Sequence, residues 1–486
     1  MNIPKHILDI LRQLRVHQHE AYIVGGCVRD LLLQKEPKDW DITTKAKPEQ
    51  ILAVFKDAKY ENEFGTVLLP WRHPAKAGED KGELVDVIEI TTYRSEQGYS
   101  DRRHPDTVRF ETELDKDLER RDFTINALAL DLSGDKPVVI DLFGGQKDLK
   151  AKIIRAVGEP ADRFKEDALR MLRAVRFSAQ LGFELEAKTQ RAIVKLAGGL
   201  KFVSKERIRD EFIKIISSDR PAEGLLLLHE CKLLQYIIPE LEQGIGVNQD
   251  RHHIYPVFKH NVLALKHCPS PAWPVRLAAL FHDIAKPKTR KIIKGVATFY
   301  NHEYLGAKMV DRIMLRLKFS TLERERVVNL VRNHMFYYNV GEVTAASVRR
   351  LIVKVGRENL KDLIDLRIAD RLGSGTPKAV PYKLRHLQYM LEKVQSDPVS
   401  VKMLKINGSD LMEQLKIPPS PKIGAILDVL LSEVIENPNL NTQEYLSHRA
   451  LALNNLDLDA LRAQAKDIIS DKQQQDDRQI KKNYKV

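Results

Sequence analysis

The stretch Val24-Gly25-Gly26-Cys27-Val28-Arg29-Asp30, followed by Asp39-Trp40-Asp41, constrains this 486-residue chain more than any other feature. An apolar run, Tyr22-Ile23-Val24, leads into the glycine pair, and the helical Leu31-Leu32-Leu33 follows it. Such a strand–turn–helix junction lets backbone N–H groups and the helix dipole favour phosphate, with Arg29 one turn in. Residues i and i+2 of a strand share a face, so Asp39 and Asp41 on one strand aim both carboxylates into one pocket. Two hard oxygen ligands side by side suit Mg2+, whereas a lone DxD is also compatible with a solvated turn.

The rest of the sequence narrows the choices. The length predicts several domains, and 43% hydrophobic with 30% charged residues is the balance of a globular protein. No apolar run approaches bilayer length, and the first residues lack a signal-peptide core, which predicts a cytoplasmic chain with no membrane partner. Cys27, Cys231 and Cys268 lie far apart without CxxC spacing, so a bound metal is expected on oxygen or imidazole. The net charge of +12 fits a polyanionic partner as well as it fits solubility alone. Nothing in the sequence sets an oligomeric state.

Periodicity predicts an α/β head over residues 1–150, with strands at Tyr22-Ile23-Val24, Thr66-Val67-Leu68-Leu69 and Val85 to Thr91, and a helix opening at Pro48. Helical periods then dominate: a neck over 151–245, a histidine-rich domain over 250–395 and a tail over 400–486. The tail ends in the polar, aperiodic Asp471-Lys472-Gln473-Gln474-Gln475-Asp476-Asp477, which reads as disordered.

Further candidates lie along the head and neck. Asp86 and Glu89 fall on opposite faces of one strand; Glu89 is the preferred third carboxylate, an exposed edge residue the alternative. In Arg120-Arg121-Asp122-Phe123-Thr124-Ile125-Asn126, a helical turn brings Asp122 and Asn126 to one face for ribose hydroxyls while Arg121 holds phosphate. From Glu166 to Phe177, read as one helix, Arg170, Arg173 and Arg176 form a basic stripe. Asp167 and Arg170 pair an acceptor with a donor, which complements the amino and ring-nitrogen edge shared by cytosine and adenine. Guanine and uracil present the opposite order.

Taken together, GGCVRD with DWD, IEITTYR, SEQGYSDRRHP, RRDFTINALALD, DLFGGQKDL, EDALRMLRAVRFSAQLGF and VSKERIRDE resemble the class II tRNA nucleotidyltransferases, the CCA-adding family of the polymerase-β-like superfamily. The resemblance implies an α+β fold: a polymerase-β-like α/β head followed by a helical neck, HD domain and tail. It implies CCA addition to the tRNA 3′ end from CTP and ATP, with Asp39 and Asp41 on the catalytic metals, and Gly26, Arg29 and Arg121 at the triphosphate and ribose. Asp167 and Arg170 would template the base, with Arg173 and Arg176 as further nucleotide contacts. The segment Ser95 to Pro105 resembles the loop needed for the terminal A, which leaves CCA addition or A-addition alone. The sequence after DWD lacks the arginine-rich segment of bacterial poly(A) polymerases, making that a weaker reading.

Seven of the 15 histidines fall between His252 and His334. His260, His282-Asp283, His302, His334 and Asp370 supply imidazoles and carboxylates suited to Mn, Fe, Ni or Mg, and their order resembles the HD phosphohydrolases. That implies hydrolysis of a phosphoester at RNA ends, or a silent site kept for packing. In the tail, Lys422 and its basic neighbours suit a tRNA backbone or a solvated face.

Overall fold

The computed structural model describes residues 2–61, 65–72, 83–98, 107–250, 254–336, 338–376, 380–396 and 401–486. Two compact units emerge, residues 1–334 with 365–376, and residues 335–364 with 377–486.

The first unit opens with a mixed sheet made of β1 (Ala21–Val24), β2 (Asp41–Thr44), β3 (Lys59–Tyr60), β4 (Thr66–Arg72), β5 (Leu84–Thr92), β8 (Leu128–Asp131) and β9 (Val138–Asp141); a separate hairpin pairs β6 (Arg94–Gln97) with β7 (Thr107–Phe110). The sheet runs β3-β4-β5-β2-β1-β8-β9 and is antiparallel except where β2 lies parallel to β5. There Asp41 pairs with Glu89 and Ile42 with Ile90, so the two carboxylates leave the same face while both isoleucines are fully buried. Asp39 precedes the strand in a bend, and buried Trp40 anchors the step between the acidic residues. Residues 99–106, most of the loop compared above with the A-adding segment, fall outside the described residues.

The expected helix from Glu166 to Phe177 is two helices, Pro160–Glu166 and Leu169–Leu181, with Asp167 extended between them at φ −141° and ψ 107°. Its carboxylate accepts the Leu169 N–H at 3.0 Å, a local bond that competes with helix continuation. Met171, Leu172 and Val175 bury one side of the second helix. Gly224, on the helix Pro221–Glu230, lets the neck close up: a Cβ there would lie 2.7 Å from Ile215 and 2.9 Å from Ala179. Helices continue to the end of this unit, interrupted by two short ladders, Ile153–Ile154 with Glu184–Leu185 and Lys291–Ile293 with Val296–Thr298.

The second unit is helical around Ile426, Val429, Leu430, Leu446 and Leu461. Its last helix, Leu458–Tyr484, takes in the stretch from Asp471 that reads as disordered in the sequence. Glutamine and lysine are good helix formers, and Asp477 is held by Lys393 at 2.5 Å and by the Tyr389 hydroxyl. Lys422 donates to the Asn454 carbonyl at 2.6 Å. Among the described residues, no helix is long and apolar enough to cross a membrane.

Ile42, fully buried on the middle strand β2, follows Asp41 and pairs with Ile90. Ile42→Ala should cost about 2–5 kcal/mol, read as a lower denaturant midpoint at unchanged m-value.

Candidate functional site

A cleft of ≈ 1260 Å³ opens where the head meets the neck. Asp39, Asp41, Gly26, Arg29, Arg121, Asp122, Asn126, Asp167, Arg170, Arg173 and Arg176 all line it. Glu89 is not on its wall but stands beside Asp41 in register.

Gly25 closes the turn after β1 at φ +81°, a conformation that side chains rarely adopt. A Cβ there would lie 2.8 Å from an Arg121 nitrogen and 3.3 Å from an Asp41 oxygen, so a bare backbone is what lets the guanidinium and the carboxylate approach. Burial lifts the Asp41 carboxyl above its ordinary range, Arg121 opposes the shift and the charge of Asp39 adds to it. Glu89 is raised as well, by burial and then by Asp41, Glu61 and Asp39. Carboxylates that repel one another in this way fit a hard divalent cation.

The arginines are held in place by acids. Asp122 accepts from Arg173 at 2.6 Å and from Asn126 at 3.1 Å, and Asn126 in turn accepts from Arg29 at 2.8 Å. Burial pushes the Asp122 carboxyl up, but Arg173 and these bonds hold it below the usual range. Arg176 pairs with Glu211 at 3.1 Å, and its guanidinium lies 4.4 Å from the centre of the Phe177 ring. Arg170 is drawn to Glu166 at 2.5 Å, and Asp167 to Arg207 at 2.6 Å.

Sequence reasoning missed three supports of this site: Asp117, Arg207 and Glu211, the partner of Arg176. Asp117, fully buried, binds Arg120 at 2.7 Å, Arg121 at 3.2 Å and the Thr43 hydroxyl at 3.3 Å. Its signal was its spacing, one helical turn before the arginine pair. Arg207 belongs to VSKERIRDE, but nothing local to that segment shows that it reaches Asp167.

The six HD-type residues also come together. His282 follows the helix Trp273–Phe281, His334 follows Thr321–Asn333 and His302 opens His302–Arg316. Each donates Nδ1–H to the carbonyl three residues earlier: Ala279 at 2.8 Å, Val331 at 2.7 Å and Phe299 at 2.7 Å. A carbonyl only accepts, so Nδ1 of each ring carries a proton and Nε2 points inward, the nitrogen that ligates a metal once its own proton is lost. His260 and His282 face each other at 2.9 Å, and His302 and His334 at 3.3 Å. Asp283 lies between the pairs, one oxygen 3.2 Å from His260 and the other 3.2 Å from His302, and Asp370 lies 3.4 Å from His260. Lys286, a buried cation that sequence reasoning passed over, touches Asp283 at 2.5 Å and Gln249 at 2.6 Å. Burial works against charge on His282, yet Asp283 and Asp370 raise it to about 10, whereas burial and the charge of His282 lower His334 to about 3. Converging imidazole nitrogens and carboxylates in a buried pocket fit a bound metal ion.

Three family models match the chain in series. They are described as "Poly A polymerase head domain" over residues 21–155, "Probable RNA and SrmB- binding site of polymerase A" over 182–245 and "HD domain" over 263–374. The CCA-adding enzyme of Enterococcus faecalis is 34% identical over 445 residues, which is 91% of this chain and 94% of that protein. The CCA-adding enzyme of Ligilactobacillus salivarius is 33% identical over 458 residues, 93% of this chain and 98% of that one. A crystal structure of the Bacillus stearothermophilus CCA-adding enzyme in complex with CTP aligns with a TM-score of 0.59 and 27% identity over 93% of this chain and 98% of that chain. Head, neck and arginine-lined acidic cleft thus define a nucleotidyltransferase on a polymerase-β-like head. Within that class, the chain belongs to the CCA-adding enzyme family. Enzymes of this family generally work with a divalent metal.

Gly25→Ala puts a methyl group against Arg121 and Asp41. It should cost about 1–3 kcal/mol of stability and lower turnover on the order of a hundredfold, measured as nucleotide incorporation by a folded variant.

Proposed function

We propose that this cytoplasmic enzyme builds and repairs the 3′ CCA end of tRNA, one nucleotide at a time, from CTP and ATP without a nucleic-acid template. The observation that carries this reading is the convergence of the acidic pair Asp39 and Asp41 with the base-reading pair Asp167 and Arg170 in one cleft. The terminal RNA hydroxyl attacks the α-phosphorus, a new P–O bond forms, the α–β bridging bond breaks and pyrophosphate leaves. Asp39 and Asp41, with Glu89 beside them, would hold Mg2+, whose charge would lower the pKa of the hydroxyl and neutralise phosphate charge. Gly26, Arg29 and Arg121 hold the triphosphate, Asp122 and Asn126 the ribose, and Arg173 and Arg176 make further nucleotide contacts. The head corresponds to 1–150, the neck to 151–245, the HD domain to 250–395 and the tRNA-contacting tail to 400–486.

The decisive experiment supplies tRNA lacking its last three nucleotides. CTP alone should add two cytidines and CTP with ATP the complete CCA; no cytidine would identify an A-adding enzyme instead. Asp39→Ala should abolish incorporation of both nucleotides, and survival of either activity would overturn the metal assignment.

The geometry of the HD pocket favours a second reading beside the first. His260, His282, Asp283, His302, His334 and Asp370 would hold a divalent metal, Mn, Ni, Fe or Mg, which would supply the Lewis acid for hydrolysing phosphoesters at RNA ends. Metal-stimulated cleavage of a 2′,3′-cyclic phosphate should disappear in His282→Ala while CCA addition persists. Absence of cleavage with each of these metals would leave the pocket without that activity.

A further inference from the structure

The neck helix Lys205–Ile216 sends two side chains, one turn apart, toward the cleft: Glu211 to Arg176 on the helix Leu169–Leu181, and Arg207 to Asp167 in the extended link before it. The second contact is a fork. Arg207 places Nη2 2.6 Å from Asp167 Oδ2 and Nη1 3.3 Å from Oδ1, and both residues line the cleft. Oδ1 also accepts the Leu169 N–H at 3.0 Å.

These bonds can be counted against what a carboxylate offers. Each oxygen has two acceptor sites, about four in all. Oδ1 spends both, one on Arg207 and one on Leu169; Oδ2 spends one on Arg207. Among the described residues, a single acceptor site therefore stays open, on Oδ2. Arg170 does not compete for it, being engaged by Glu166 and by the carbonyls of Arg163 and Arg120.

We propose that Arg207 is a positioning residue for nucleotide selection: its fork fixes the Asp167 carboxylate so that the incoming base meets one acceptor site of set direction. This rests on the reading of Asp167 as the residue that faces the base. An amino N–H of cytosine or adenine satisfies that site. The carbonyl of uracil or guanine brings lone pair against lone pair, and a fixed carboxylate cannot rotate to relieve it. A carboxylate released from the fork can turn, or admit a water between itself and the carbonyl, so discrimination falls before catalysis does.

The test compares kcat/KM for CTP, ATP, UTP and GTP on tRNA lacking the nucleotide to be added, in the full-length chain. Arg207→Met should raise incorporation of UTP relative to CTP by about tenfold or more. Arg207→Lys keeps the charge without the planar fork and should restore stability while leaving part of the lost discrimination. Asp167→Asn provides the reference, and the double variant should be no less selective than Asp167→Asn alone. Equal losses for all four nucleotides in both Arg207 variants, with the ratios unchanged, would mean that Arg207 serves stability only and would overturn the proposal. If Asp167→Asn shifts the ratios and the Arg207 variants do not, the proposal fails while the base-reading role of Asp167 stands. If none shifts them, both fail.

Discussion

The carboxylate of Asp122 joins three parts of the chain that are separate in sequence. One oxygen takes Arg173 from the neck, and the other takes Asn126, which passes the link to Arg29 behind the glycine turn. Asp122 is buried while the Arg173 side chain is partly exposed, so removing Arg173 costs about 1–3 kcal/mol, the carboxylate keeping its Asn126 and backbone N–H bonds. The same network that holds head to neck therefore sets the arginines before substrate arrives. In the role proposed for them, guanidinium groups fixed in this way would need little reorganisation when phosphate charge enters the cleft.

Much of this was legible because motif residues carry their own geometry. A glycine pair after an apolar strand required a tight turn, and the structure supplies it at Gly25. Alternation around Trp40 put both aspartates on the cleft, although only Asp41 belongs to the strand. What stayed hidden was long-range. No local pattern shows that β2 lies parallel to β5, that Asp117 braces two arginines, or that Arg207 crosses to Asp167. The break at Asp167 was missed because helical periodicity runs through it, whereas a single side-chain bond to the Leu169 N–H decides the backbone there. The final helix was missed for the opposite reason: its polar stretch has no apolar stripe, and Asp477 is held by residues far away in the chain.

The HD pocket shows how little sequence such a device needs. Three histidines at helix ends use one local bond each, to the carbonyl three residues back, and thereby fix which nitrogen faces inward. At the C-terminal ends of Trp273–Phe281 and Thr321–Asn333 the last carbonyls lack intrahelical partners, so His282 and His334 satisfy the backbone as they orient themselves, while His302 bonds the Phe299 carbonyl just before its own helix. Asp283 then faces both histidine pairs with different oxygens, an arrangement that only the packing of several helices can create. The residue types were readable in advance; their division into two facing pairs was not.

The parallel pairing of β2 with β5 bears on how the protein comes into being. Parallel neighbours cannot be joined by a tight turn, so Asp41 and Glu89 become adjacent only after a crossover has closed and the strands have found register. Non-local pairings of this type form slowly, since loop entropy is lost before contacts repay it. The Asp41–Glu89 carboxylate pair beside the cleft therefore does not exist in a partly folded chain. On the reading proposed above, a nascent or misregistered head would lack the third carboxylate beside Asp41, and full metal binding would be a property of the finished sheet.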